Sequence, residues 1–505
     1  ILVIVAVFII LTFINKHKLD KILLMASTMI YGSAAIIQDN KFYFSIGACI
    51  IMGAVTVYCV GDWLRFKLKK LPTIAIIAIL GILFTLFTGL LTSFKYLQHW
   101  APCYDFGIFS QMFNYMKETL QPLTTCERDG LLSHFAVHFS PIYYLLLPFF
   151  FIFPSPVTLL MGQAAIIASG LIPLYLICKR HKLSNAAVIL FSLCYVLLPS
   201  MANGCFFFLH ENKFLTPLIL WLAFALEKNK WIPSVIFTLL LLAVKEDAPV
   251  YAAVLGLYFI VSRRNISKGA LVFVLSIIYF ITVSYFMSKY GLGTMSYRYD
   301  NFIYDGSGSL FTVIKAVILN PIYTVHEAFD EEKIKFILQM LVPLAFMPLM
   351  IKKPSRIILL IPFILLNLMS DYTYQHNINF QYTYGSAAFL FYLMILNYQD
   401  MKPGFRCKVL AVAATSSIFM FMCNTYYRTS GYESYKTDKN SGAIDIIDDA
   451  LELVPDDSSV AATTFLVASL YDHREVYEFE STNHRDEVEY LSLIHISEPT
   501  RPRLI

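Results

Sequence analysis

Charged side chains are scarce in this sequence. Asp, Glu, Lys and Arg make up 15% of its 505 residues, whereas soluble domains carry about 25%. The chain also has no glycine-rich phosphate-binding loop, no dinucleotide-binding fingerprint and no basic patch for nucleic acid. ATP-driven transport by this chain alone and a nucleic-acid partner are therefore unsupported. Its nine cysteines show no metal-ligand spacing, so a structural zinc site is not expected.

Apolar residues are abundant instead. They account for 57% of the chain, and the mean hydropathy is +0.62. Runs of the 17–25 residues needed to cross a bilayer recur along most of the sequence. They predict an all-α polytopic membrane protein with about fourteen spans. The predicted spans are 1–14, 22–38, 43–61, 72–93, 157–177, 186–200, 215–226, 232–247, 248–262, 269–287, 335–350, 357–370, 385–398 and 409–423.

The distribution of basic residues predicts the topology, because short cytoplasmic loops collect Lys and Arg. Seven basic clusters alternate with the spans. If all seven lie on the cytoplasmic side of the cell membrane, the large loops and the C-terminal region are extracytoplasmic. The apolar run 140–156 breaks the alternation, and its four prolines disfavour a regular helix. We interpret it as an interfacial or re-entrant segment.

The chain divides into five predicted parts. Residues 1–93 are N-terminal transmembrane helices, 94–156 an extracytoplasmic loop with interfacial helices, and 157–423 the main transmembrane bundle. Residues 424–490 read as helix (443–453), strand (458–464), short helix and strand (474–480), the start of a truncated extracytoplasmic α/β domain. Residues 491–505 include LSLIHISEPTR, which resembles a translated sequencing adapter. We exclude them from the fold interpretation and expect a fragment.

One acidic residue stands out in the stretch 104–120. Asp105 precedes an amphipathic helix with apolar residues on one side, which predicts a helix lying in the membrane plane. The carboxylate is either the N-cap of that helix or a catalytic group, and the two roles are compatible. Cys103 and Cys126 flank the stretch, and a disulfide between them stays open if the loop faces an oxidising compartment.

Further ionisable residues collect on the predicted outer face. His134 and His138 are four residues apart, a spacing that suits either a metal or interfacial hydrogen bonding. Charged groups at membrane depth usually mark a functional site, and two further groups belong to this set. They are His210 with Glu211, and Lys245 with Glu246 and Asp247. The structural alternative is a salt-bridged network in which Glu246 or Asp247 holds Lys245. The tyrosine-rich stretch 371–385 suits an aromatic belt or a sugar-stacking wall.

Several motifs in order carry a family resemblance. They are YDFGIFSQ (104–111), LLSHFAVHFSPIYYLLLP (131–148), HENKF (210–214), VKEDAPVYAAVLGLY (244–258) and LVPDDSSVAATTFL (453–466). Together they resemble the multipass prokaryotic membrane proteins known as domain of unknown function 2079. That family is similar to the GT-C superfamily of membrane glycosyltransferases, which use polyprenyl-phosphate sugars. The resemblance implies a GT-C-like helical bundle, with Asp105 at the acidic position of the first large loop.

The resulting hypothesis is a membrane glycosyltransferase that moves a sugar from a polyprenyl-phosphate donor to an acceptor in the cell envelope. Asp105 would be the general base. Lys245, His134, His138 and His210 would hold the phosphate, with Glu211, Glu246 and Asp247 positioning them. A divalent metal would help, but the sequence does not require one. The rival hypotheses are a transporter or flippase, and a non-enzymatic envelope protein. Donor sugar, acceptor and oligomeric state stay open.

Overall fold

A computed structural model describes residues 20–39, 42–60, 69–293, 296–303, 310–485 and 487–492, with four isolated positions before residue 20. The chain folds as an all-α polytopic membrane protein with one small sheet near its C-terminal end. The predicted span 1–14 lies almost entirely outside the described residues, as do residues 493–505.

The helices of the first half follow the apolar runs of the sequence. In chain order they are α1 (Asp20–Asp39), α2 (Phe42–Val60), α3 (Lys70–Leu97), α4 (Ile108–Thr119), α5 (Leu147–Ile152), α6 (Pro156–Ser169), α7 (Leu171–Arg180), α8 (Asn185–Val196), α9 (Pro199–Phe206) and α10 (Leu215–Glu227). Serines cap two of them, since the side chains of Ser155 and Ser184 accept backbone N–H bonds at the starts of α6 and α8. Each of these two helices therefore begins directly after a serine that follows a loop.

The second half continues the bundle. Its helices are α11 (Trp231–Leu242), α12 (Ala248–Val261), α13 (Ile266–Tyr290), α14 (Leu310–Leu319), α15 (Pro321–Ala328), α16 (Glu331–Leu341), α17 (Tyr384–Asp400), α18 (Pro403–Thr425), α19 (Ser430–Asn440) and α20 (Ala443–Leu451). Helix α17 lies at the centre, where every side chain from Tyr384 to Tyr398 is buried. A helix that is apolar all round is typical of such a position.

Six helical stretches of the described chain are long and apolar enough to cross a membrane. They are Phe42–Cys59, Lys70–Leu97, Pro156–Arg180, Asn185–Phe206, Ile266–Tyr290 and Pro403–Asn440. The predicted number of about fourteen is too high for helices of this length in the described residues. Of the other predicted spans, 1–14 lies almost entirely outside the described residues, 22–38 is the 20-residue helix α1, and the rest are shorter or broken helices. Hydropathy alone does not separate the two kinds of helix, because a helix surrounded by protein is as apolar as one surrounded by lipid.

Prolines account for the broken segments. The run 140–156 forms a 3₁₀ turn at Pro141–Leu145 and the short helix α5, so it is not a regular spanning helix, as its prolines predict. Phe149 and Phe153 are 59% and 66% exposed, which fits a lipid-facing surface. The predicted span 357–370 is likewise divided, into a 3₁₀ segment at Pro354–Leu360 and a π-helical segment at Phe363–Leu368.

The predicted elements of the C-terminal region are confirmed. Strands β3 (Ser459–Ala462), β4 (Glu475–Glu478) and β5 (Tyr490–Ser492) form a parallel sheet in the order β4-β3-β5. A second sheet pairs β1 (Leu123–Thr124) with β2 (Leu132–Ser133) in antiparallel fashion. Strand β5 crosses position 491, where the foreign-looking segment of the sequence begins.

Helix α4 lies between the bundle and this C-terminal region. Its apolar side, including Phe109 and Phe113, packs into the main core. Its opposite side carries Gln111, which is 1% exposed and donates from Nε2 to the carbonyls of His473 (3.3 Å) and Arg474 (3.2 Å). The predicted amphipathic helix is confirmed, but protein covers both of its sides. The C-terminal region therefore helps to fix the position of residues just before α4.

A cluster of charged residues surrounds the buried carboxylate of Glu227 at the C-terminal end of α10. Glu227 ends α10, and its carboxylate lies 2.7 Å from His181 Nε2 and 3.1 Å from Arg180 Nε. Arg264 approaches the same carboxylate at 3.5 Å. Arg180 belongs to the basic cluster at 179–182 and Arg264 to the one at 263–268, and the sequence predicts that both clusters lie on the same face. Their shared partner puts both clusters at the same end of the bundle.

Helices α12 and α13 approach closely through two glycines, which generates a first prediction. A Cβ at Gly256 would lie 2.7 Å from the carbonyl oxygen of Gly269 and 2.9 Å from the backbone nitrogen of Phe273. Because backbone atoms cannot move aside, Gly256→Ala should destabilise the protein by about 1–3 kcal/mol, measured by unfolding in detergent.

The matched control is Gly47→Ala in α2. A Cβ at Gly47 meets no atom within 4 Å, and alanine favours a helix by about 1 kcal/mol over glycine. The two variants should therefore differ in the sign of their effect. Equal stabilisation by both would show that α12 and α13 are not in close contact.

Candidate functional site

Five distant segments meet at the end of the bundle opposite Glu227. The backbone N–H of Ile142 donates to the carbonyl of Ala243 at 2.9 Å, which joins the 140–146 segment to the turn before Lys245. The ring of Phe106 stacks on Phe208 with 5.0 Å between centroids. The ring of Tyr382 lies 6.2 Å from His210. The loops that sequence analysis assigns to one face therefore form one site.

Glu211 is the centre of this site. Its Oε1 lies 2.8 Å from Lys245 Nζ, and its Oε2 lies 3.0 Å from His210 Nδ1 and accepts a 2.7 Å hydrogen bond from the Tyr143 hydroxyl. Glu211 is fully buried, and Lys245 is 1% exposed. The salt-bridged network foreseen in the sequence therefore exists with a different partner, because Lys245 pairs with Glu211 and not with Glu246 or Asp247.

For Glu211 and Lys245, ion pairing affects the pKa more strongly than burial does. Burial alone would raise the pKa of Glu211, but His210 and Lys245 hold it well below its usual value. Burial would lower the pKa of Lys245, yet Glu211 and Glu246 raise it above its usual value. For His210 burial prevails and lowers the pKa to about 3. At neutral pH the centre of the site is therefore a glutamate–lysine ion pair beside a neutral histidine.

Two glutamate–histidine pairs lie next to this centre. His134 Nδ1 is 2.8 Å from Glu127 Oε2, and His138 Nδ1 is 2.8 Å from Glu246 Oε1. The two imidazole rings are 5.9 Å apart. Burial lowers the pKa of both histidines, and the Glu127 carboxylate reverses the effect for His134, whose pKa is raised. His138 keeps a lowered pKa because Lys245 adds to the effect of burial.

Asp105 lies at the edge of the network. It is half-buried in a π-helical turn, Cys103–Gly107, that precedes α4. The N-cap role is not observed, since α4 begins after Gly107 with no side-chain cap. Burial raises the pKa of Asp105 to about 6, while Lys213 and Lys245 oppose the rise. Asp105 is therefore a carboxylate that titrates near neutral pH, in electrostatic contact with the buried pair.

Asp247 and Arg298 extend the site on the other side. Burial raises the pKa of Asp247 to about 6, and Lys245 and Arg298 limit the rise. The Oδ1 atom of Asp247 has no hydrogen-bond partner within the described residues. The guanidinium of Arg298 lies 4.8 Å from the ring of Tyr372 and 5.1 Å from the ring of Tyr382. The tyrosine-rich stretch thus contributes an aromatic clamp for Arg298.

Sequence reasoning missed several members of this site. They are Glu127, Lys213, Arg298 and Tyr382 as neighbours of the network, and Tyr143 as a direct partner of Glu211. Tyr143 stands in the HFSPIYY motif, so its motif was a usable signal. Arg298 comes from a long loop, and nothing in its local sequence indicates that it folds back over the site. All eight predicted site residues do lie in the assembled region.

Neither sulfur nor metal chemistry is built into the described part of the site. Cys103 and Cys126 are free buried thiols, with Cys103 Sγ 4.0 Å from the Cys126 carbonyl oxygen. Across the described residues, no group of three or more His, Cys, Asp or Glu side chains is arranged to hold a metal ion. The described residues thus offer no set of three or more such ligands for a divalent cation.

The fold and the site define a polytopic membrane protein with a buried ionic network at one end of its bundle. A family model described as a predicted membrane protein, domain of unknown function 2079, matches residues 95–498. The chain therefore belongs to that family. The matched region includes all the site residues described above. No curated protein matches the chain.

The buried pair yields a second prediction. Glu211→Gln would leave the Lys245 ammonium buried without a countercharge, which should cost about 3–5 kcal/mol of stability. The double variant E211Q/K245M removes both charges and should lose less than the single variant. Unfolding in detergent at pH 7 measures both.

A surface pair gives the control. Lys439 and Asp445 form an ion pair in which the side chains are 47% and 55% exposed. Because solvent screens such pairs, Lys439→Gln should leave the unfolding transition nearly unchanged. An E211Q protein as stable as K439Q would refute the proposed role of the buried pair.

Proposed function

We propose that this protein is a membrane glycosyltransferase that moves a sugar from a polyprenyl-phosphate donor to an acceptor on the extracytoplasmic side. The observation that supports this most is the position of Asp105. Its half-buried carboxylate has a pKa raised to about 6, and Lys213, Glu211 and Lys245 act on it electrostatically. A general base works best when its pKa lies near the working pH.

In the proposed reaction Asp105 accepts the proton of an acceptor hydroxyl. The hydroxyl oxygen then bonds to the anomeric carbon of the donor sugar, and the bond from that carbon to the phosphate oxygen breaks. The polyprenyl phosphate leaves with the electron pair. This single displacement inverts the anomeric centre and needs no covalent enzyme intermediate.

The network would serve the departing phosphate. His138 is the member with access, since 12% of its side chain is exposed and Glu246 holds its Nδ1. A neutral histidine held in this way presents its other ring nitrogen in a fixed orientation. His134 and His210 would complete the wall, and Lys245 would add positive potential, although its ammonium contacts Glu211. Glu211, Glu246 and Asp247 would keep these cations and imidazoles in position.

A transporter or flippase is the second candidate. The discontinuous helical segments Pro354–Leu360 and Phe363–Leu368 favour it, because broken helices often form transport sites. The charged groups of the Glu211 network, however, collect at one end of the bundle and not between the ends. This placement favours chemistry at a membrane surface over passage through it.

The third prediction tests the base. Purified full-length protein in liposomes is incubated with a panel of radiolabelled polyprenyl-phosphate sugars and membrane acceptors. Asp105→Asn should reduce transfer at least about a hundredfold, the lower range for loss of a general base. Glu118→Gln, at an exposed position on α4, is the control and should transfer like the wild type. Absence of transfer from every donor, or full transfer by D105N, would contradict the proposed glycosyltransferase activity.

The pH profile gives a fourth prediction. The base is active when deprotonated, and its pKa is about 6. The wild-type transfer rate should therefore be level above pH 7 and fall roughly tenfold for each pH unit below pH 5. A rate that is independent of pH between 4 and 8 would contradict a role for Asp105 in proton transfer.

A further inference from the structure

A polar cavity opens beside the C-terminal end of α3. None of the residues of the Glu211 network lines it. Its volume is about 360 Å³. The residues that line it come from α3, the loop after α3, the end of α9 and the segment before and within α19. They include Lys95, Gln98, Trp100, Phe206, Arg428 and Ser434.

The charges in this cavity have one sign. Lys95 and Arg428 are both cations, and none of the described lining residues is acidic. Lys95 Nζ lies 4.9 Å from the centroid of the Phe208 ring, and the guanidinium of Arg428 lies 5.4 Å from that of Phe206. Within the described residues Lys95 forms no ion pair with a carboxylate. Two cations held side by side on aromatic rings create a site of positive potential.

Hydrogen bonds and stacked rings hold the walls in place. Gln98 Nε2 donates to Ser434 Oγ at 2.8 Å and to Asp438 Oδ2 at 2.7 Å. The ring of Phe94 stacks on Tyr435 at 4.7 Å. These contacts fix α19 against the end of α3, so the cavity is formed before any ligand arrives.

The surroundings indicate where the ligand comes from. Lys95 is in the last turn of a 28-residue apolar helix long enough to cross a membrane. Trp100 lines the cavity and is 50% exposed, and exposed tryptophans are typical of the membrane–water interface. We propose that this cavity binds the phosphate group of an anionic membrane lipid. The apolar rim would contact the lipid chains, while Lys95 and Arg428 neutralise the phosphate.

Lipid binding at this cavity does not require transferase activity. Lys95 lies over the ring of Phe208, and Phe106, the chain neighbour of Asp105, stacks on that same ring. Asp105 itself is not among the residues that line the cavity. Lipid binding can be measured whether or not sugar transfer is found.

The test is native mass spectrometry of the full-length protein released from detergent, with phosphatidic acid and phosphatidylcholine as probes. The wild type should prefer phosphatidic acid. Each basic side chain that contacts the lipid phosphate adds attraction for it, so Lys95→Gln or Arg428→Gln should lower that affinity about fivefold, and the pair about thirtyfold. The charge-preserving K95R/R428K variant should retain the preference.

Lys289→Gln is the matched control. Lys289 is also in the last turn of a long helix and lies over the rings of Tyr285 and Tyr290, but it is exposed. It should bind lipid like the wild type. No preference in the wild type, or an undiminished preference in K95Q/R428Q, overturns the proposal. If K95Q/R428Q fails to fold, the two single variants decide it. Displacement of the lipid by equimolar inorganic phosphate would show that the site takes free phosphate and would overturn the lipid assignment.

Discussion

The buried ion pair between Glu211 and Lys245 is the constraint on which this end of the protein depends. A carboxylate and an ammonium both lose their hydration here, and only close pairing with additional hydrogen bonds makes that tolerable. Tyr143 and His210 supply the additional contacts to Glu211. The pair therefore ties together three segments that are far apart in the chain. The histidine pairs and the half-buried Asp105 are positioned relative to it.

Local patterns made much of the fold predictable. Apolar runs identify helices because a helix buried in lipid or protein needs a continuous apolar surface. The C-terminal strands were predictable as well, since Val460 in β3 and Val476 with Tyr477 in β4 are strand-forming residues in short segments bounded by turn residues. What hydropathy could not distinguish is a helix covered by lipid from one covered by protein. Helix α17 is of the second kind, and its composition alone would suit either.

The site was predictable in its location and much less so in its pairings. Counting charged residues on one face correctly brings Glu211 and Lys245 together, because ionisable groups at membrane depth seek each other. The sequence suggests neighbours such as Glu246 as the partner of Lys245, whereas the bundle supplies Glu211. Arg298 was missed for the same reason. Which charges touch is decided by helix packing, and that information is not present in any one segment.

Pairing also separates the structural members of the site from those able to exchange protons. A group whose pKa is displaced far from neutrality keeps its charge throughout the physiological range, as Glu211 does. Asp105 and Asp247, with pKa values raised to about 6, change charge close to neutral pH. Lys245 and Arg298 both act on Asp247, which favours a role in fixing those cations. Asp105 is half-buried in the turn directly before α4, and this position favours it as the proton acceptor of the proposed reaction.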